Sequence, residues 1–96
     1  MTLADKPLRY SEEKNRWLIK HRGVSFPEII ALIADGNVLD IIDHPNKKAY
    51  PTQKMMVIMI EGYPWGVPIV EESDHIFLKT AFPSRELKRF IKGDKK

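Results

Sequence analysis

The segment QKMMVIMIE, residues 53–61, restricts the possible folds of this chain more than any other part of the sequence. Successive side chains of an extended strand point to opposite faces of a sheet. Here both faces are apolar, which predicts a central strand that must be covered on both sides. A second layer of the same chain would cover the second face, or a bound protein partner would complete the cover. The two sets of apolar residues are Met55, Val57 and Met59 on one face and Met56, Ile58 and Ile60 on the other.

Three further segments predict strands that accompany this central strand. They are NVLDIID at 37–43, WGVPIVEE at 65–72 and HIFLKTAF at 75–82, all bounded by turn residues. Short connections between the last three strands favour an antiparallel meander. Pro68 cannot donate a hydrogen bond to a neighbouring strand, so its position indicates either a bulge or a sheet edge.

Helix signals stand on both sides of the predicted strands. The first helix begins at Ser11, which is followed by two acidic residues, and it ends at Gly23, a usual terminating residue. The second begins in a capping box formed by Ser25 and Glu28 and ends at the next glycine. The segment SRELKRFIK at 84–92 predicts a short C-terminal helix with a serine cap.

This order of elements predicts an α+β fold with two N-terminal helices, a four-stranded twisted antiparallel sheet and a short C-terminal helix. The length of 96 residues predicts a single domain. Its core is expected to span about residues 10–92, with a frayed tail at 93–96.

Composition excludes several classes of protein. Hydrophobic residues make up 43% of the chain and charged residues 30%, a balance typical of folded domains rather than disordered ones. No cysteine is present, which excludes a disulfide framework and a thiolate metal site. No secretory signal or apolar run of membrane-spanning length is seen, so we expect a cytoplasmic protein with no membrane partner.

Charge is unevenly distributed along the chain. The overall net charge is +3, with +2 in residues 1–34, −4 in residues 35–74 and +5 in residues 75–96. Such asymmetry favours a polyanionic partner that meets one face of the domain. A solvated basic tail would explain the same distribution equally well.

Common catalytic and metal-binding patterns are missing from the sequence. No phosphate-binding loop, dinucleotide-binding glycine motif or serine-hydrolase motif occurs. His21, His44 and His75 are scattered, without the spacing of metal ligands. We therefore expect neither a metal ion nor another cofactor.

Basic residues at the end of the last predicted strand indicate a phosphate site. Lys79 lies within that strand, and Arg85 follows directly after the predicted helix cap, where a guanidinium group and free backbone N–H groups would bind phosphate together. Metal-independent RNA cleavage needs cations beside the phosphate and a group that transfers protons. Lys79, Arg85 and His21 are the candidate catalytic residues, although His21 would serve equally well as a polar residue at a helix end. Further candidate RNA-phosphate contacts are Lys14, Lys20, Arg22, Lys88 and Arg89.

Two blocks of the sequence resemble the BrnT-type toxins, which are ribonucleases of bacterial type II toxin–antitoxin pairs. They are EEKNRWLIKHRGVSFPEI at 12–29 and FLKTAFPSR at 77–85. The resemblance implies a RelE-like fold, RNA cleavage, and inhibition by a cognate antitoxin in a hetero-oligomer, with a homodimer as another possible assembly. It matches Lys79 to the basic residue of the family's closing strand and Arg85 to the arginine that follows the serine. The chain differs from the family in having Arg22 between the histidine and the glycine.

Two other functions remain open from the sequence. One is a noncatalytic module that binds nucleic acid or protein on the same scaffold, which the absence of a clear general base favours. The other is an inhibitor of a host protein that acts by contact alone and needs no basic surface. The two signature blocks favour the ribonuclease.

Overall fold

The computed structural model of the protein describes residues 6–91, so the tail predicted at 93–96 and the last residue of the predicted C-terminal helix lie outside the described residues. Within this range the chain has the predicted α+β character. The elements are β1 (Leu8–Tyr10), α1 (Glu12–Arg22), α2 (Phe26–Ala34), β2 (Val38–Asp43), β3 (Gln53–Ile60), β4 (Tyr63–Glu71), β5 (Ile76–Leu78), β6 (Phe82–Pro83) and a 3-10 helix (Arg85–Phe90).

The sheet differs from the predicted four-stranded antiparallel one. It is mixed, with the strand order β1-β5-β4-β3-β2, and β6 also pairs with β4. The strand missed from the sequence, β1, runs parallel to β5. Only three residues form it, too few for an alternating pattern to stand out.

Both predicted N-terminal helices are confirmed, together with their caps. The Ser11 side chain accepts a hydrogen bond from the Lys14 N–H, and Gly23 ends α1 in the left-handed conformation. Ser25 and Glu28 form the predicted capping box of α2. These caps satisfy N–H groups that have no partner within the helix, which is why the boundaries could be found from local sequence.

Asn15 connects the two helices. It is the one buried polar residue among residues 6–91, and its Oδ1 accepts a hydrogen bond of 2.7 Å from the Phe26 N–H at the start of α2. Phe26 and Leu18 are completely buried on the sheet. The bond therefore fixes α2 relative to α1 at the point where both helices enter the main core.

The main core lies between the two helices and one face of the sheet. Leu18, Phe26 and Ile29 of the helices pack in one cluster with alternate residues of the strands. As expected from the alternation in residues 53–61, the strand residues in this cluster include Met56, Ile58 and Ile60 of β3 and Trp65, Val67 and Ile69 of β4.

The second face of β3 is also covered within the chain. Met55 is 2% exposed and Val57 is fully buried, while Met59 is half-buried. Gly66 of β4 is packed closely on this face, since a Cβ atom there would lie 3.2 Å from the Phe82 ring. The sequence left open whether this chain or a protein partner covers the second face of β3. At Met55 and Val57 the chain itself covers that face.

A bulge divides the last predicted strand, and Pro68 lies opposite it. Leu78 pairs with Ile69, whereas Phe82 pairs with Gly66, so residues 79–81 contain one residue more than the facing part of β4. The Lys79 N–H still donates to the Pro68 carbonyl over 2.9 Å, but a proline has no N–H to return the bond. The predicted strand at 75–82 is consequently divided into β5 and β6. The sequence placed Pro68 at either a bulge or a sheet edge, and the structure shows a bulge opposite it, on a strand that lies inside the sheet.

The C-terminal helix also differs from the prediction. It is a six-residue 3-10 helix, and the Ser84 side chain makes no capping hydrogen bond. Leu87 is buried, which anchors the helix, while its basic residues are exposed. The Ser84 N–H is instead bonded to the Pro64 carbonyl oxygen over 3.1 Å, so this residue continues the pairing of β6 with β4.

We expect Asn15→Ala to lower the free energy of unfolding by about 1–3 kcal/mol, since the buried Phe26 N–H would lose its acceptor. The neighbouring exposed substitution Arg16→Ala should stay within about 0.5 kcal/mol of the wild type. Urea unfolding followed by circular dichroism measures both. Equal stabilities of the two variants would contradict the role given to Asn15.

Candidate nucleic-acid interface

The end of α1 is tied to the bulge by Arg22. Its Nη1 donates a 2.6 Å hydrogen bond to the carbonyl oxygen of Ala81, within the bulge where regular pairing with β4 is interrupted. A guanidinium group has five N–H donors, so the bond leaves others free. Arg22, predicted to bind phosphate, thus has a structural contact and retains capacity for a ligand.

An exposed tryptophan lies at the centre of the basic residues of α1. Trp17 is 38% exposed. The Lys14 Nζ is 4.4 Å from the centroid of its ring, the Arg22 Cζ is 4.8 Å away, and the His21 ring centroid is 4.7 Å away. Lys14 and His21 meet Trp17 because positions three and four residues apart share one side of a helix. Arg22 is five residues from Trp17 and its long side chain reaches the ring from the end of α1.

Lys79 joins this group from the sheet. It lines a depression of about 380 Å³ together with Lys14, Trp17 and Phe77. The Lys79 Nζ lies 5.7 Å from the centroid of the Phe77 ring. The depression thus combines two aromatic side chains and two ammonium groups with the carboxylate of Glu13, which also lines it. We call Lys14, Trp17, His21, Arg22 and Lys79 the Trp17 cluster.

Within residues 6–91 the cations of the Trp17 cluster form no ion pair with a carboxylate, although Glu13 lines the same depression. The Lys/Arg–carboxylate pairs there involve other lysines: Lys6 with Glu71, and both Lys47 and Lys54 with Asp43. Hydrogen bonds from Lys47 and Lys54 lower the pKa of Asp43 below its ordinary value, with their charges adding to the effect. Lysines are therefore held in salt bridges around Asp43, whereas the cations around Trp17 form none within the described residues.

The segment predicted to bind phosphate, from Lys79 to Arg85, contacts β4 at two separate positions. The Lys79 N–H bonds to Pro68 and the Ser84 N–H to Pro64. These carbonyls are four residues apart on β4, which separates the two backbone positions by roughly 13 Å at the rise of a strand. Lys79 belongs to the Trp17 cluster, whereas Arg85 begins the 3-10 helix. The phosphate site predicted at Lys79 and Arg85 thus stays a prediction, with a 3-10 helix in place of the predicted α-helix at Arg85.

The basic residues of the 3-10 helix form a second group. The Lys88 Nζ is 5.5 Å from the centroid of the Tyr63 ring. Arg89 lies over the Phe90 ring, with its Cζ 4.7 Å from the centroid, and donates to the Glu86 carbonyl. Arg85, like Lys20 of α1, is exposed, and neither forms a side-chain hydrogen bond or ion pair within residues 6–91.

A recess lies between these two basic groups. Its volume is about 300 Å³, and Arg22 lines it on one side, with Tyr63 and Pro83 also in its wall. The remaining lining residues include the buried Val24, Ile60 and Trp65 and the carboxylates Glu28 and Glu61. We call it the Tyr63 recess. Because Arg22 also contacts Trp17, the recess adjoins the Trp17 cluster.

Trp17 is the residue of this surface that the sequence did not single out. A tryptophan in an amphipathic helix is more often part of a core, and α1 has its buried residues at Asn15 and Leu18. The available signal was its spacing: Trp17 is three residues from Lys14 and four from His21, so all three share one helix stripe. From the sequence, only the basic residues and the histidine of this helix were identified as candidates.

Comparisons with protein-family models, with curated proteins and with solved structures found no match. Among residues 6–91, no helix is long and apolar enough to cross a membrane. In the same range, no three histidine, aspartate or glutamate side chains are grouped as metal ligands would be.

Proposed function

We propose that this protein binds single-stranded RNA at the Trp17 cluster and cleaves it as an endoribonuclease toxin. The observation that carries the proposal is the exposed Trp17 ring surrounded by Lys14, His21 and Arg22 within 5 Å, with Lys79 beside it. Proteins that bind single strands combine aromatic rings for the bases with cations for the backbone.

Stacking of a nucleobase on the Trp17 ring is more favourable than the cation–π contacts that the ring has in the free protein. An exposed cation–π contact contributes about 0.5–1 kcal/mol, whereas stacking of a base on an aromatic side chain contributes about 1–3 kcal/mol. A base can therefore displace Lys14 from the ring. The displaced ammonium group remains close by and can bind the adjoining phosphate.

The same cluster supplies the groups for cleavage without a metal ion. His21 would remove the proton from the ribose 2′-hydroxyl, whose oxygen then attacks the adjacent phosphorus. The ammonium and guanidinium groups of Lys14, Arg22 and Lys79 would stabilise the additional negative charge of the pentacoordinate phosphorane. Departure of the 5′-oxygen, which takes up a proton, leaves a 2′,3′-cyclic phosphate.

Arg85 receives a different role from the one that the sequence suggested. Since it lies on the 3-10 helix with Lys88 and Arg89, we assign these three residues to phosphates further along the same RNA strand. Lys20 is exposed on α1 and is assigned to the backbone there.

The antitoxin belongs to the same proposal. A BrnT-like toxin on a RelE-like scaffold, acting in the cytoplasm, would be inhibited by a cognate protein that covers the basic surface. The unpaired cations of the Trp17 cluster support an antitoxin segment with acidic residues, which would compete directly with RNA.

A noncatalytic RNA-binding protein is the second candidate, and the environment of His21 favours it. The ring is exposed, its contact is the Trp17 ring, and no carboxylate within residues 6–91 forms an ion pair with it. A catalytic histidine is commonly oriented by such a partner. Binding and cleavage therefore need separate tests.

The binding test uses the salt dependence of affinity for a fluorescent uridine hexanucleotide. Lys79→Ala and Lys14→Ala should each weaken binding and reduce the slope of log Kd against log salt by about 0.7, the value expected for one lost phosphate contact on a single strand. Lys47→Ala is the matched control, because Lys47 is paired with Asp43 away from the cluster. Affinities and slopes unchanged in all three variants would refute the assignment of the binding surface.

The cleavage test incubates the purified protein with total RNA in the presence and absence of EDTA. We expect products ending in 2′,3′-cyclic phosphate in both conditions, and a rate about 100-fold lower in His21→Asn, since general acid–base catalysis contributes at least that factor. His75→Asn is the control, because His75 is bonded to Asp74. Cleavage that requires added metal, or that is unchanged in His21→Asn, contradicts the mechanism. Binding without cleavage would establish the noncatalytic candidate instead.

A further inference from the structure

The Tyr63 recess has an apolar floor and a charged rim. Val24, Ile60 and Trp65 are buried and line the recess together with the rim residues Arg22, Glu28 and Glu61. A volume of about 300 Å³ is at the lower limit for ligand sites. The recess therefore has room for one small, flat group with polar edges, such as one nucleobase.

The two carboxylates at the rim differ in the hydrogen bonds that their oxygen atoms accept. The Glu28 Oε1 accepts a long hydrogen bond of 3.4 Å from the Ser25 N–H in the capping box. The Glu61 side chain is exposed and forms no hydrogen bond or ion pair within residues 6–91. Its backbone is held in the left-handed conformation, with φ 52°, beside Gly62 in the turn between β3 and β4. Glu61 thus presents a free carboxylate at the rim from a defined position.

We propose that the Tyr63 recess binds a guanine base of the RNA, with Glu61 accepting hydrogen bonds from its N1–H and 2-amino group. A carboxylate has two acceptor oxygens, and guanine is the one RNA base that presents two adjacent donors on its pairing edge. Adenine and cytosine place a ring-nitrogen acceptor next to their amino group, which would repel the carboxylate. Uracil offers a single N–H.

Arg22 can bind the acceptor atoms of the same guanine base, whose donors would bind Glu61. Arginine pairs with the O6 and N7 acceptors of guanine more often than with any other base edge. One of its N–H groups is bonded to Ala81, and the others remain available. A rim with one arginine and one free carboxylate therefore matches the acceptors and the donors of guanine at the same time.

The recess is placed to receive a nucleotide next to the one stacked on Trp17. Arg22 lines the recess and contacts the Trp17 ring, while Lys88 lies near Tyr63 on the far side. An RNA strand that runs from Lys79 past Trp17 to the 3-10 helix would cross the recess. The inference rests on the proposed RNA binding and adds to it a preference for one base.

The test compares fluorescent uridine hexanucleotides that carry a single central guanosine, inosine or adenosine. Inosine keeps the N1–H and O6 of guanine but lacks its 2-amino group. The wild-type protein should bind the guanosine hexamer about tenfold more tightly than the adenosine hexamer, with inosine in between. Glu61→Gln should reduce this preference to less than about threefold, because a glutamine amide replaces one acceptor by a donor.

Glu72→Gln is the matched control, since Glu72 is an exposed residue in the turn between β4 and β5 and should leave the preference unchanged. The two proposals fail in different ways. A wild-type protein that binds none of the hexamers contradicts the proposed function itself. Equal affinity for guanosine and adenosine hexamers, or a full guanosine preference retained in Glu61→Gln, overturns the assignment of the recess while RNA binding stands.

Discussion

The hydrogen bond from the Arg22 guanidinium to the Ala81 carbonyl joins the end of α1 to the irregular segment between β5 and β6. That segment is irregular because Pro68 has no N–H with which to continue the pairing of β4, and the bulge leaves room for an acceptor to meet a side chain. The bond is charge-assisted and short, which makes it one of the stronger contacts available to a partly exposed group. Without it, nothing polar within the described hydrogen bonds would connect α1 to this edge of the sheet.

The candidate site follows from this connection. Because the bulge adjoins α1, Lys79 lies beside Lys14 and Trp17, although both are more than 60 positions away from it in the sequence. Arg22 contacts Trp17 on one side and borders the Tyr63 recess on the other. One side chain therefore connects a stacking surface and a base-sized recess to the sheet.

Local signals were sufficient to predict the helices and the central strand. The caps at Ser11 and Ser25 depend on residues three positions away, so the sequence contains all the information needed to find them. The apolar alternation in residues 53–61 likewise identified β3. The proline at position 68 indicated either a bulge or a sheet edge. The choice between the two depends on the register of β5 and β6 with β4, and register is a property of paired strands that a single segment does not reveal.

The errors concern features that depend on long-range contacts. The parallel pairing of β1 with β5 joins residues near opposite ends of the chain, and three residues carry too little pattern to reveal it. Lys79 and Ser84, the residue before Arg85, are close in sequence, yet their N–H groups bond to carbonyls four residues apart on β4. Trp17 was overlooked because the same residue at the same helical spacing serves equally well in a core, and only the packed structure shows that its ring is exposed among cations.

A single titration tests the central claim, that the Trp17 cluster is the RNA-binding surface. Nitrogen-15 NMR spectra resolve the indole N–H groups of Trp17 and Trp65 and the backbone amides while a uridine hexanucleotide is added. We expect the Trp17 indole and the amides of residues 14–22 and 77–81 to shift in proportion to bound RNA, while the amides of β2 stay in place. Bound RNA that leaves the Trp17 indole and these amides unmoved would contradict it.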